Sequence, residues 1–403
     1  MLKKMVLNIG GVFSILSAIM LFAALSSILL ARLLSPHDFG EFALMRTLIF
    51  FISPLAVWGQ DVATARFFSR NDARRYRWDA AFRNILSVTV IIVILGVAVS
   101  WFVYKLEAAK LAGLFVAAVS FGSIILFSNL MRSRARYTEA ILMLNGFRGL
   151  FFFVLVVVWF STGITKYYAI FSYILIIALV AFVDIGYSFR KIERGELKVP
   201  KEFYVSGLIL MGSQMAVTIM TSLDTLLVPR MLGYDALALY AAALVPIQAF
   251  NILGRAGKYV WVPEFGRSER VRFKLVGSVV FFVAMALVLV VFVGAKPILH
   301  ILYGGKYDHG VTLLRVLAFV GVGRLFYGLS SSVIVGRLKN EALYYHLRIN
   351  IAAMIVYIIT LYFMLKEFGV MGAAMALLIV TTLRMSLSYW VVFKFKDGLK
   401  EKV

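Results

Sequence analysis

The sequence predicts an all-α integral membrane protein of about twelve transmembrane helices in two six-helix bundles. Three observations carry this. The 403 residues are 62% hydrophobic and only 15% charged, where soluble domains carry roughly a quarter charged residues, and the mean hydropathy is +0.92. Apolar runs of helix length recur along the whole chain. The basic residues between those runs alternate in density, as loops on opposite sides of a membrane do.

The runs fall near 10–33, 39–65, 82–104, 110–130, 139–160 and 166–188, then near 204–228, 236–261, 274–295, 310–335, 342–364 and 370–393. Each suits a tilted span, whereas a barrel would show short alternating strands. The first run follows MLKKMVLNIGGVF, a signal-like start. No small-residue cleavage site follows, so it reads as a retained first span. The stretch 189–203, with RKIERGELKVPKE in its middle, lies near the midpoint and reads as a cytoplasmic linker. The predicted organisation is a lobe over 1–190, a linker over 191–202 and a lobe over 203–403.

With both termini placed in the cytoplasm, the inner segments hold 26 Lys and Arg and the outer loops hold 7. That split assigns the orientation, and it accounts for most of the +22 net charge without nucleic acid. A cell-membrane location and a monomer are expected. The halves also repeat weakly. ARLLSPHDFGEFA, with Arg32, aligns with PRMLGYDALALYA, with Arg230, at an offset of 198 residues. Pro54 and Pro246 occupy roughly matching places. An offset of six spans preserves orientation, so the repeat is parallel, a transporter signature with the site between halves.

The sequence has no cysteine and four histidines, at 37, 300, 309 and 346. Disulfides, thiolate catalysis and a Cys/His metal cluster are excluded on that basis. No GxSxG, Walker A or HExxH motif is present, and the chain reads as a transporter and not an enzyme. GGVFS and GVGRLFYG are glycine-rich but lie inside apolar runs, where close helix packing is their role. No cofactor is expected beyond a coupling proton or sodium ion, because without an ATP site transport runs on a gradient.

Nine basic residues fall inside the predicted spans: Arg32, Arg46, Arg148, Arg255, Lys258, Arg315, Arg324, Arg348 and Arg384. Fewer acids accompany them: Glu41, Asp61 and Asp224, with Asp184 near a helix end. Charge in hydrocarbon needs a partner, water or a function. The excess is positive, which suits an anionic ligand. Arg32, Arg348 and Arg384 are placed near enough to helix ends to reach headgroups. Arg315 and Arg324 lie on opposite faces of one helix, and Arg324 is nearer mid-span. Arg255 and Lys258 share a face that continues through Gln248 and Asn251. Asn145 sits three residues before Arg148. Candidate anion ligands are therefore Arg46, Arg148, Arg255, Lys258 and Arg324, with Gln248, Asn251 and Asn145 as polar lining. Asp224, close to Pro229, and Asp61 and Glu41 are candidate coupling sites; each is equally readable as the ion-pair partner of a buried arginine.

Three segments carry a resemblance: LLARLLSPHDFGEFAL at 29–44, SLDTLLVPRMLGYDALALYAAA at 222–243, and KPILHILYGGKYDHGVTLLRVLA at 296–318. With these the chain resembles the Wzx-type oligosaccharide flippases, the polysaccharide-transporter branch of the multidrug/oligosaccharidyl-lipid/polysaccharide exporter superfamily. The resemblance implies a V-shaped, MATE-like pair of bundles with alternating access. Its implied cargo is a polyprenyl-phosphate- or polyprenyl-pyrophosphate-linked oligosaccharide, with polymerases and glycosyltransferases as partners. It also implies that arginines on cavity-facing helices meet the phosphates, with Arg46 and Arg255 the nearest positional matches. Two alternatives stay open: a cation-coupled drug exporter of the same superfamily, which would favour an acidic or aromatic cavity, and a membrane polymerase, which would carry a large outer loop.

Overall fold

The computed structural model describes residues 2–68, 76–134, 136–190, 196–267, 273–338 and 340–395. Almost all of these are helical: α1 Leu2–Leu33, α2 Pro36–Ala56, α3 Gln60–Phe68, α4 Trp78–Tyr104, α5 Ala108–Ser133, α6 Tyr137–Ser161, α7 Lys166–Phe189, α8 Lys201–Leu232, α9 Tyr234–Arg267, α10 Phe273–Tyr303, α11 Val311–Arg337 and α12 Asn340–Lys394. The all-α membrane prediction holds. Helices suit this environment because they satisfy their backbone groups internally.

Eleven stretches among the described residues are long and apolar enough to cross a membrane. The last, Glu341–Lys394, has 54 residues, about 80 Å of helix at 1.5 Å per residue and ample for two crossings. It is broken at Gly369, with φ 56° and ψ −138°. That backbone region is open to glycine alone. The break falls where the sequence separates its last two spans.

Span 2 departs from its predicted 39–65. Helix α2 stops at Ala56, Trp58 and Gly59 take φ of 45° and 76°, and the separate short helix α3 follows. Apolar composition hid the stop; a glycine that ends the helix in the left-handed region was the signal. The repeat survives at the level of elements. Helix α2 starts at Pro36 and α9 starts at Tyr234, two positions that the repeat alignment pairs.

Contacts divide the chain into two compact units. The first is Gly10–Ser26 with Glu41–Ser222; the second is Met1–Ile9, Ser27–Gly40 and Leu223–Val403. In the first, Trp78, Phe82, Phe127, Leu130, Met131 and Phe203 belong to one buried cluster. The end of the linker is built into it. The Arg77 amide donates to the Leu197 carbonyl at 2.7 Å, Phe203 packs edge-on against Trp78 and Phe67, and Tyr204 stacks on Trp58. Buried aromatics of this kind add about 0.5–1.5 kcal/mol per ring pair beyond area burial. The start of α8 is therefore packed structure and not a slack tether.

Gly369→Ala should destabilise the protein by roughly 1–3 kcal/mol, because alanine cannot hold the corner without strain. Gly146→Ala, mid-helix on α6 where an added Cβ meets nothing within 4 Å, should instead hold stability or raise it by up to about 1 kcal/mol. Thermal unfolding of both variants in detergent checks this.

Candidate functional site

In the first unit, Arg46 projects from α2 and Arg148 from α6, both half-buried. Two rings beside them, Phe42 and Phe147, both pack edge-on against buried Tyr173 on α7, at 5.6 and 5.8 Å. Aromatic rings surround the pair. The Arg46 guanidinium lies 5.9 Å from the Phe42 centroid, and that of Arg148 lies 5.4 Å from Phe50 and 5.5 Å from Phe147. Arg148 also donates to the Met20 sulfur at 3.3 Å. Tyr173 packs edge-on at 4.7 Å from Phe151. Ring faces hold a guanidinium in place while leaving N–H donors for other acceptors. Asn145 turns inward one helical turn earlier on α6, but its amide donates to its own helix at Ile141.

Glu41 has a different setting. Its carboxylate meets the Lys110 ammonium and, at 3.3 Å, that of Lys166. Lys110 also pairs with Glu107 at 2.9 Å. Glu41 and Lys110 are almost fully buried. The sequence placed both lysines in outer loops and looked for an arginine partner; the structure instead folds the lysines back onto the acid.

Asp61 lies on α3, beyond the span that ends at Ala56. It is buried, and its Oδ1 has no hydrogen-bond partner in the protein. Burial raises its carboxyl from 3.8 to about 6. Its neighbour Gln60 is fully buried and donates to the Tyr204 carbonyl at 3.1 Å.

In the second unit, Asp224 on α8 is 3% exposed. It accepts from the Tyr240 hydroxyl at 2.6 Å and from the Thr225 amide at 2.8 Å. Arg324 reaches Asn251 on α9 at 3.5 Å, whereas Arg315 turns away to the Phe292 carbonyl on α10. The opposite-face reading of these two arginines is correct. Gln248 is half-buried one turn before Asn251. The side chains of Arg255 and Lys258 lie outside the described residues.

Sequence reasoning missed one residue here. Arg384 was placed at a headgroup, yet it is held in the protein. Its Nε donates to Asn350 at 2.8 Å, its Nη2 donates to Tyr327 at 2.6 Å, and it stacks 3.8 Å from the Tyr327 centroid. His346 also meets the Tyr327 hydroxyl, at 3.2 Å. The usable signal was depth: Arg384 is far from both ends of the predicted span 370–393.

The profile of a family described as polysaccharide biosynthesis protein matches residues 6–269, most of the chain. The chain belongs to this polysaccharide biosynthesis protein family. A relative described as an uncharacterized membrane protein in the cps region of Klebsiella pneumoniae is 23% identical over 393 residues, covering 92% of this chain and 78% of the relative. Among solved structures, the chain is similar to an inward-facing multidrug resistance MATE family transporter of the MOP superfamily, with TM-score 0.67, 16% identity and 96% of each chain covered. It is also similar to an outward-facing one, with TM-score 0.62, 16% identity and 99% and 97% covered. The family member thus has the MATE-like fold. Family and fold together set it among multi-pass membrane proteins of polysaccharide biosynthesis.

Two outcomes follow for this family member. Lys110→Ala leaves Glu41 with Lys166 as its remaining ammonium and should cost about 1–3 kcal/mol, with Lys110→Ala/Glu41→Gln recovering part of it in thermal unfolding. For Asp61, the folded carboxyl binds its proton more tightly than the unfolded one. Its stabilising contribution is therefore present below pH 3.8 and is lost as pH rises through about 6. Asp61→Asn should flatten stability across that window and gain up to about 3 kcal/mol at pH 8.

Proposed function

We propose that the protein is an alternating-access flippase that carries a polyprenyl-phosphate- or polyprenyl-pyrophosphate-linked oligosaccharide from the cytoplasmic to the outer leaflet. The observation that carries this is that Arg46 and Arg148 lie against two rings, Phe42 and Phe147, that both pack on Tyr173. Guanidinium groups fit phosphate oxygens in bidentate pairs, and aromatic faces suit sugar rings and stems. Membership of a polysaccharide biosynthesis family supports a glycan cargo. The net-positive interior supports an anionic headgroup and speaks against an organic cation.

In this reading the two six-helix lobes, 1–190 and 203–403, alternate about the linker 191–202. Both termini are cytoplasmic, following the loop charges, and the protein works as a monomer in the cell membrane beside the enzymes that build and polymerise the glycan. Arg324, and Arg255 and Lys258 as the sequence places them, are further candidate anion ligands. Asp224 is the coupling carboxylate, buried on α8 and held by the Tyr240 hydroxyl and the Thr225 amide. Glu41, already engaged by two lysines, is a structural charge in this scheme.

The test uses proteoliposomes loaded with a polyprenyl-pyrophosphate oligosaccharide, scoring sugar exposure to an impermeant glycosidase. Arg46→Ala and Arg148→Ala should each slow exposure by at least about tenfold, the loss of one charge-assisted contact, with normal expression and folding. Wild-type rates in both would overturn the phosphate assignment. Asp224→Asn should abolish the response to an imposed proton or sodium gradient; a retained response would remove Asp224 from coupling.

A further inference from the structure

The three sequence segments that carry the family resemblance meet at one place in the second unit. Helix α1 ends at Leu33, and α2 begins at Pro36. A helix leaves its last carbonyls without internal partners. Here they are taken by a residue far away in sequence. The Lys306 ammonium donates to the carbonyls of Leu34 at 2.7 Å, Arg32 at 2.8 Å and Ala31 at 3.3 Å. A cation at a helix C-terminus also meets the negative end of the helix dipole.

Lys306 is aimed by the turn that carries it. Gly304 and Gly305 both adopt positive φ, and His300 pairs with Asp308 across the turn at 2.9 Å. Tyr303 anchors the turn to α9 by donating to the Ala242 carbonyl at 2.9 Å. The α1–α2 corner has a second seat. A Cβ on Gly40 would stand 2.0 Å from the Tyr234 carbonyl, so the start of α2 lies directly on the start of α9. The His37 and Tyr234 rings meet edge-on at 5.0 Å, and Phe39 faces Tyr307 at 6.5 Å. The corner is thus held by one lysine, one glycine contact and a few rings. The lysine is only half-buried, so water can replace the carbonyls as its partners.

We propose that Lys306 is a releasable latch: it caps α1 and pins the α1–α2 corner to α9 and to the turn before α11, and the outer exit for the cargo headgroup forms when this cap lets go. The outer placement rests on the orientation given under the proposed function. The latch is therefore tested without cargo.

The chain has no cysteine, so a single introduced thiol reports cleanly. Ala31 is fully buried beneath the cap, and Ala31→Cys is a small change. In sealed right-side-out vesicles, an impermeant maleimide should label Ala31→Cys slowly. Adding Lys306→Met should speed labelling by about 5- to 30-fold, the loss of one charged contact set, while Lys306→Arg keeps it slow. Should Lys306→Met not elute as a monodisperse peak, Lys306→Gln takes its place. A second arm leaves Lys306 intact. In Ala31→Cys/His37→Cys/Tyr234→Cys, bridging positions 37 and 234 with a short bifunctional thiol reagent before labelling should reduce the Ala31→Cys signal to background. The bridge should also stop oligosaccharide exposure in proteoliposomes. Labelling unchanged by Lys306→Met, or undiminished by the bridge, overturns the latch. Labelling that behaves as expected in a protein that moves no oligosaccharide overturns the cargo and leaves the latch standing.

Discussion

Charge carried into hydrocarbon must find a partner inside the protein, and most of this structure follows from how that demand is met. Three solutions appear. Glu41 takes ammonium groups, from Lys110 and Lys166. Asp224 takes a tyrosine hydroxyl and a backbone amide. Arg46, Arg148 and Arg384 lie against aromatic faces. These solutions differ in what they leave available. A carboxylate between two lysines has its charge balanced. A guanidinium on a ring face is held through the π-system and not through its N–H groups alone.

The same demand on the backbone shapes the helix breaks. Within a membrane an open carbonyl or amide is costly, so a helix stops only where something receives its end. At the α1–α2 corner the receiver is Lys306. At Gly369 and at Trp58–Gly59 the chain turns through conformations that few residues adopt, and short polar or glycine-containing segments supply them. The end of the linker follows the same logic: Leu197, Phe203 and Tyr204 are tied into the first unit by a backbone hydrogen bond and by ring packing. Motions of a helical protein built this way act on discrete contacts such as a cap, a ring pair or a glycine seat, because packed helices are stiff between them.

Much of the fold was legible in the sequence because the membrane imposes it one span at a time. Length, hydropathy and the charge of neighbouring loops are local properties, and they located the spans, the break between the last two and the matching starts of α2 and α9. The number of spans and the all-helical class depend on nothing more distant than twenty residues. The stop at Ala56 was missed because composition outweighed one glycine.

Partners were not legible, because a partner is a neighbour in space. Nothing local in the sequence indicates that Lys110 and Lys166 turn back onto Glu41, that Arg384 rests on Tyr327, or that Lys306 closes the end of a helix begun some three hundred residues earlier. Most of the residues that carry charge into the membrane were settled by the sequence alone, Lys110 and Asp61 being exceptions at span ends. What each charge does there was decided only by the tertiary structure, since a carboxylate or a guanidinium is spent or available according to the group that faces it.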